Sequence, residues 1–301
     1  AKLRMCGIVG LFLKDSRLEP ELGALLSDML VVMSDRGPDS AGFAVYGDRT
    51  QGRVKLTISG ADEEVLRRAV AELGKAINET PGLTLHDTHA VVSIYFDKEK
   101  AARAFIDSRD DISFVGAGAR MELYKEVGRP EQVTQRFGLS RMAGSHGIGH
   151  TRMATESAVT TRGAHPFSTG LDQCLVHNGS LSNHNGVRRK LQREGMRFAT
   201  ENDTEVAAGY LSWRIREGAS LKQALTDGLT DLDGFYTFVV GTETGFAVLR
   251  DPISCKPAVM AETDDYVAFG SEYRALAVLP GVDKAHIFEP EPATVYVWER
   301  G

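Results

Sequence analysis

The spacing of apolar positions changes twice within the first 49 residues, and each spacing predicts a different element. Residues 6–13 are apolar apart from two glycines and have the length of a buried strand. Across 19–33 the apolar residues recur every three or four positions, which predicts a helix with one buried face. A loop at 34–42, rich in glycine, proline and aspartate, then leads into a strand at 43–46.

Between residues 50 and 140 the pattern predicts an inserted α/β subdomain. Strands at 53–59 and 90–96 alternate with helices at 63–77 and 98–108, and one or two further strands follow within 112–127. The order strand, helix, strand, helix, strand indicates a small split βαβ unit. A docking surface and a cover over an active site are both compatible with such an insertion.

From residue 141 onwards, short apolar strands separated by turn residues predict a return to the main fold. Strands are expected at 174–177, 236–241, 246–250 and 266–270, and helices near 186–193 and 204–217. A four-residue turn separates two of these strands, which predicts an antiparallel hairpin over 237–250. Together these elements predict an α+β fold in which two antiparallel sheets are covered by helices.

Composition limits the classes of function. The chain has 301 residues, of which 42% are hydrophobic and 25% charged, and a net charge of −6, which argues against a nucleic-acid partner. It has neither an apolar run of the roughly 18–20 residues that span a membrane nor an apolar secretory signal. Its three cysteines are far apart and lack metal-ligand spacing, so we predict a cytoplasmic protein without a metal site.

Five short blocks carry the candidate chemistry, and Cys6 in the first of them is a candidate nucleophile. The blocks are MCGIVG at 5–10, RGPDSAG at 36–42, GHTRMAT at 149–155, HNGSLSN at 177–183 and NDTEV at 202–206. Taken alone, Cys6 is more typical of a buried core cysteine. If Cys6 were the first residue, its α-amine, with a pKa of about 7.7–8.0, could act as its general base. Acylated by Met5, the same nitrogen is an amide and cannot.

Each polar candidate in the other blocks has both a chemical and a structural interpretation. The Arg152 guanidinium suits a substrate carboxylate but equally suits a structural ion pair. Asn178 and Gly179, predicted to form a tight turn after a strand, could supply two oxyanion donors or simply a hairpin turn. Asp203 starts a predicted helix at which Asn202 and Glu205 have capping-box spacing, so it could merely complement the helix dipole.

Taken together and in this order, the five blocks resemble the glutaminase domain of class II glutamine amidotransferases, which are N-terminal-nucleophile hydrolases. The resemblance implies a four-layer αββα sandwich formed by residues 1–49 and 141–301, with 50–140 inserted. It also implies that Cys6 is the nucleophile and that Asn178 and Gly179 form the oxyanion hole.

The resemblance further implies how the substrate, glutamine or glutamate, is held. Arg152 would bind the substrate's α-carboxylate and Asp203 its α-ammonium group, and Thr155 would also contact the substrate. Arg36 and Asp39 would shape the surroundings of the nucleophile. Three histidines within or beside these blocks, His150, His165 and His177, lack metal-ligand spacing and are interpreted as structural.

The length, the insertion and the wording of residues 153–170 are most similar to the glutamate-synthase-like group, and within it to the amidotransferase-like subunits of N-methylglutamate synthases. This implies a hetero-oligomer whose flavin-containing partner carries FMN and an iron–sulfur cluster, with no cofactor on this chain. Such a complex converts methylamine and glutamate into N-methylglutamate and ammonia. An active subunit requires removal of residues 1–5. The alternatives are a catalytically silent subunit and a glutaminase that supplies ammonia to a separate synthase.

Overall fold

The computed structural model describes residues 5–154 and 158–301, and the elements named here are those of that part of the chain. The strands are β1 Gly7–Leu13, β2 Ser40–Tyr46, β3 Arg53–Gly60, β4 Gly82–His86, β5 His89–Tyr95, β6 Ile112–Gly118, β7 Met121–Val127, β8 His146–Arg152, β9 Phe167–Gly170, β10 Gln173–Leu181, β11 Gly234–Gly241, β12 Gly245–Arg250, β13 Val259–Glu262, β14 Tyr266–Gly270, β15 His286–Phe288 and β16 Thr294–Glu299. The α helices are α1 Leu22–Val31, α2 Glu63–Ile77, α3 Glu99–Asp107, α4 Pro130–Phe137, α5 His184–Arg193, α6 Asp203–Arg216, α7 Leu221–Asp231 and α8 Tyr273–Leu276.

Two antiparallel sheets form the centre of the fold. The first has the order β15-β13-β14-β1-β8-β2-β7 and the second β16-β12-β11-β10-β9. Apolar side chains from both sheets form one buried cluster between them, including Ile8, Phe12, Val176 and Phe246. Helices α1 and α4 cover the outer face of the first sheet, and α6 and α7 cover the second. The predicted αββα sandwich is therefore confirmed.

Several elements confirm the sequence pattern, and others differ from it. Helix α2 has its predicted bounds and the β11–β12 hairpin forms as expected. The predicted helix over 19–33 begins only at Leu22, because Ser16–Glu21, which contains Pro20, forms a 3-10 helix. Helix α7 was not predicted, although Ser220 caps it and its apolar residues have helical spacing.

The insertion contains a strand, β4, that was not predicted. Residues 82–95 form a hairpin of β4 and β5, so the unit reads β-α-β-β-α-β with the antiparallel sheet order β4-β5-β3-β6. This separate sheet ends at Gly118. Strand β7 pairs with β2 in the first main sheet, and α4 packs with α1, so residues 121–137 pack as part of the main fold rather than of the insertion. Within the described ranges, no helix is long and apolar enough to cross a membrane.

Candidate functional site

A cavity of about 620 Å³ brings together side chains from four of the five sequence blocks. It lies beside the start of β1, the end of β8, the last part of β10 and the start of α6. Of the predicted site residues, its lining includes Cys6, Arg152, Asn178, Gly179 and Asp203. Thr155 lies outside the described residues. Arg36 and Asp39 are not part of the lining but lie behind it.

Cys6 and Arg152 are neighbours because β1 and β8 pair antiparallel with Gly7 opposite Thr151. Arg36, which is buried, fixes the backbone at Cys6, since its Nε donates to the Cys6 carbonyl oxygen at 3.2 Å. The Arg36 guanidinium also forms an ion pair with Glu272, a residue that the sequence pattern did not indicate. The buried position of Arg36 is therefore explained by two contacts, one to the backbone of Cys6 and one to a carboxylate.

Asp39 acts on the segment after β8 rather than on Cys6. Its carboxylate accepts a hydrogen bond from the Ala154 N–H at 2.8 Å, and its own N–H donates to the Arg152 carbonyl at 3.1 Å. Gly37 allows this approach, because a Cβ there would lie 2.6 Å from the Arg152 carbonyl carbon. Arg152 is buried, and its Nη1 donates to the Gly163 carbonyl at 3.4 Å. The glycine-rich loop thus sets the position of Arg152.

Asn178 and Gly179 do not form a turn, so both the tight turn and the hairpin-turn interpretation are wrong. They lie inside β10, opposite Thr237 and Tyr236 of β11. Strand β9 pairs with β10 only at Gln173 and Leu175, which leaves the far edge of β10 open toward the cavity. The Leu181 N–H on that edge donates to Asp203 at 3.0 Å. Because N–H groups two residues apart share an edge, the Gly179 N–H faces the same side.

Asp203 is the first residue of α6, and the capping box predicted around it does not form. Asn202 caps the helix by accepting from the Thr204 N–H at 2.8 Å. Glu205 does not reach back to Asn202 but accepts from the N–H groups of Ala199 and Thr200. The carboxylate of Asp203 is used instead to join α6 to the end of β10, which places it at the cavity wall.

The three histidines interpreted as structural form one buried cluster at the cavity, whose lining includes His165 and His177. The rings of His150 and His165 stack with their centroids 4.0 Å apart. The Thr204 hydroxyl lies 2.8 Å from His165 Nε2 and 3.1 Å from His177 Nδ1. Burial lowers the pKa of His177 to about 4 and that of His150 to about 3, so both are neutral near pH 7. Among the described residues, no group of three or more His, Cys, Asp or Glu is placed to hold a metal ion.

Thr204 and Lys256 are two lining residues that sequence reasoning missed. Thr204 belongs to the fifth block, so its position beside Asp203 was a usable signal. Lys256 has no comparable signal, since it follows a short irregular segment after β12. Its Nζ lies 3.9 Å from the Met5 sulfur and 5.4 Å from the centroid of the Phe235 ring, and it adds a cation to the cavity wall.

We expect Thr204→Val to destabilise the protein by about 1–3 kcal/mol, because it leaves two buried imidazole nitrogens without their partner. Valine has nearly the same shape as threonine but lacks the hydroxyl. Urea unfolding at pH 7.5 measures the effect. The matched control is Thr204→Ser, which keeps the hydroxyl and should lie closer to the parent chain. Equal stability of the valine and serine variants would contradict the bridging role.

Comparisons with known proteins agree with this fold. A family model described as a glutamine amidotransferase domain matches residues 150–278. The glutamine amidotransferase-like protein GlxB of Rhizobium meliloti is 63% identical over 98% of both chains. A putative glutamine amidotransferase of Methanothermobacter thermautotrophicus is 34% identical over 98% of this chain and 100% of its own. Glutamine phosphoribosylpyrophosphate amidotransferase from B. subtilis has a similar fold, with a TM-score of 0.62 and 21% identity over 98% of this chain and 47% of that one.

The sandwich and the cavity define an N-terminal-nucleophile type of fold with a thiol at the start of its first strand. The chain belongs to the class II glutamine amidotransferase family.

Proposed function

We propose that this chain is the glutamine-amidotransferase-type subunit of a multi-subunit glutamate-synthase-like complex, and that the complex is an N-methylglutamate synthase. The observation that carries the proposal is the convergence of Cys6, Arg152, Asn178, Gly179 and Asp203 on one cavity from four separate blocks. Core packing alone does not favour the combination of a thiol, a guanidinium, a carboxylate and an open strand edge at one cavity.

In the proposed reaction, the Cys6 thiolate attacks the side-chain amide carbon of glutamine. The carbonyl oxygen becomes an oxyanion that accepts hydrogen bonds from Asn178 Nδ2 and the Gly179 N–H. Collapse breaks the C–N bond, the nitrogen takes up a proton and leaves as ammonia, and a γ-glutamyl thioester remains on Cys6. Water then cleaves the thioester and releases glutamate. In support, Asn178 Nδ2 is buried and has no partner among the described residues.

In the proposal, the chain binds the substrate through its α-carboxylate and α-ammonium groups. The planar Arg152 guanidinium binds the α-carboxylate, and the Asp203 carboxylate binds the α-ammonium group. Thr155 is proposed as a further contact on the strength of the family resemblance. Lys256 adds a second cation to the same wall and would assist in holding an anionic substrate.

The proton acceptor depends on the bond between Met5 and Cys6. While that bond is intact the Cys6 nitrogen is an amide, so turnover by the family's chemistry requires a free Cys6 α-amine. Met5 lines the same cavity as Cys6 and contacts Lys256, which favours a second candidate. In that candidate the chain is a catalytically silent subunit that binds glutamate and supports the synthase.

The rest of the proposed complex follows from the resemblance. A flavin-containing partner subunit would carry FMN and an iron–sulfur cluster and would use methylamine and glutamate to form N-methylglutamate and ammonia. A glutaminase that supplies ammonia to a different synthase would use the same residues on this chain. Reconstitution with methylamine or with glutamine as the only nitrogen source separates these two versions.

The decisive experiment compares two chains that differ only in whether Cys6 is the first residue. A tag removed by a protease leaves Cys6 free in one, and Met5 is retained in the other. The free form should release glutamate from glutamine at least about 100-fold faster, since a positioned general base contributes 10²–10⁴-fold. Cys6→Ala should abolish turnover, whereas Cys255→Ala, at an exposed cysteine, is the matched control. Glutamate binding by calorimetry without turnover in either form would favour the silent subunit.

A further inference from the structure

A second cavity, of about 570 Å³, lies between the insertion and the main fold. One wall consists of residues from α3 and β6 of the insertion. The opposite wall consists of residues from β9 and the segment 195–200 of the main fold. This volume suits a small organic molecule. The proposed amidotransferase chemistry uses none of the side chains in the insertion wall.

Cations outnumber available carboxylates around this cavity. Lys125 is buried, and its Nζ donates to the carbonyls of residues 162, 164 and 166 at 2.9–3.3 Å. It forms no direct ion pair among the described residues, although the charge of Glu205 in the same lining favours its protonated form. Arg162 donates only to the Ser113 hydroxyl, and Arg197 has no hydrogen-bond or ion-pair partner within the described chain. Of the two lining carboxylates, Asp107 pairs with Arg103 and Glu205 accepts from Ala199 and Thr200. The remaining local charge is positive.

The rest of the lining is apolar and partly aromatic. Phe114, Phe167, Phe198 and Met196 all face this space, with Arg103 stacked 3.3 Å from the centre of the Phe114 ring. A cationic rim over aromatic walls is complementary to a ligand that has an anionic group on a flat apolar body. A small inorganic anion would satisfy the charges but leave the aromatic walls in contact with water.

We propose that this second cavity is a binding site for an aromatic organic anion, with Arg162 and Arg197 pairing with the anionic group. The ring system lies against Phe114 and Phe198. An incoming negative charge also interacts favourably with the buried Lys125 ammonium, whose hydrogen bonds among the described residues all go to backbone carbonyls.

The site is connected to the candidate active site through one short segment. Thr200 lines both cavities, and the Glu205 carboxylate in the second cavity holds the N–H groups of Ala199 and Thr200. A ligand that shifts this segment therefore shifts one wall of the first cavity. Glutamate affinity should change when the second cavity is filled, a consequence that rests on the proposed function, whereas the binding site itself does not.

The test uses 8-anilinonaphthalene-1-sulfonate as the aromatic anion, titrated by fluorescence and calorimetry into the full chain. Arg162→Ala combined with Arg197→Ala should weaken its binding by about tenfold or more, since each removes a charge-assisted contact. Arg189→Ala with Arg193→Ala removes the same charge from the exposed face of α5 and is the matched control. 2-Naphthoate should displace the probe, and inorganic phosphate at equal concentration should not.

Two results would overturn the proposal. One is equal weakening in both double variants, which would indicate only nonspecific charge attraction. The other is displacement by phosphate as effective as that by naphthoate, which would show that the aromatic walls contribute nothing. Glutamate binding is measured with and without saturating probe. A chain that binds the probe at this site but never binds glutamate would contradict the proposed function and leave the second site standing.

Discussion

Gly179→Ala should prevent the protein from folding stably. A Cβ at this position would lie 2.0 Å from the Phe235 carbonyl oxygen, and Gly179 has φ of +132°, which side-chain-bearing residues rarely adopt. The clash is with the backbone of the neighbouring strand, so a rotamer change cannot relieve it. Moving β10 away from β11 would break the pairing at the centre of the second sheet. We expect a loss above about 4–5 kcal/mol, a large share of the 5–15 kcal/mol that stabilises a typical domain.

The matched control for this substitution is Gly52→Ala. Gly52 also has a positive φ, +72°, but a Cβ there would meet nothing within 4 Å, so only the backbone preference of about 1–2 kcal/mol is lost. Soluble yield and thermal unfolding measure both variants. If the two melt at similar temperatures, the close approach of β10 and β11 is not a constraint on this fold.

The same residue illustrates where sequence reasoning failed. An Asn-Gly pair is a strong local signal for a hairpin turn. Here the nine residues of β10 continue through the pair because the whole segment pairs with β11. A tertiary interaction therefore overrode a two-residue preference. Glycine was needed at this position, but for the close approach of a strand rather than for a turn.

Elements fixed by their own residues were predictable. Helix α2 has its apolar face at helical spacing, an aspartate cap at Asp62 and a left-handed C-cap at Asn78, and its bounds were predicted correctly. Strand β7 could not be assigned in the same way. Its sequence predicts a strand but not a sheet, and only its pairing with β2 shows that it leaves the insertion. Local periodicity determines elements, whereas partners 75–87 residues away determine which sheet this strand joins.

The same distinction between local sequence and distant partners applies to the candidate site. Four of the five blocks contain the thiol, the guanidinium, the Asn-Gly pair and the carboxylate that meet at one cavity. The contacts that hold these residues in place could not be predicted from the sequence, because each joins two distant parts of the chain. Glu272 pairs with Arg36 over 236 positions, and Thr204 joins histidines 27 and 39 positions away. Residue types in the sequence indicate the candidate chemistry. The contacts that hold those residues in place form only when the chain folds.

Acid should unfold this protein at a pH where an ordinary domain is still stable. Five buried histidines resist protonation in the folded state: His89, His146, His150, His165 and His177. Burial lowers the pKa of His89, His146 and His150 to about 3 and that of His177 to about 4, and it lowers the pKa of His165 well below its usual value. In the unfolded chain each histidine has a pKa near 6.5.

Between about pH 4 and 6.5 the unfolded state therefore binds up to about five more protons than the folded state, so stability falls as the pH falls. At pH 5 the loss is about 2 kcal/mol for each histidine and about 10 kcal/mol for all five, comparable to the whole stability of a domain.

Urea unfolding at pH 7.5, 6.5 and 5.5 measures the slope of the free energy of unfolding against pH. This slope gives the number of protons taken up on unfolding. His89→Phe is the matched variant, because His89 Nε2 is buried without a hydrogen-bond partner among the described residues and its ring already packs 4.6 Å from that of Phe137. In that variant, the number of protons taken up on unfolding should be lower by one. Unchanged stability between pH 7.5 and 5.5 would mean that these side chains are accessible to protons in the folded protein.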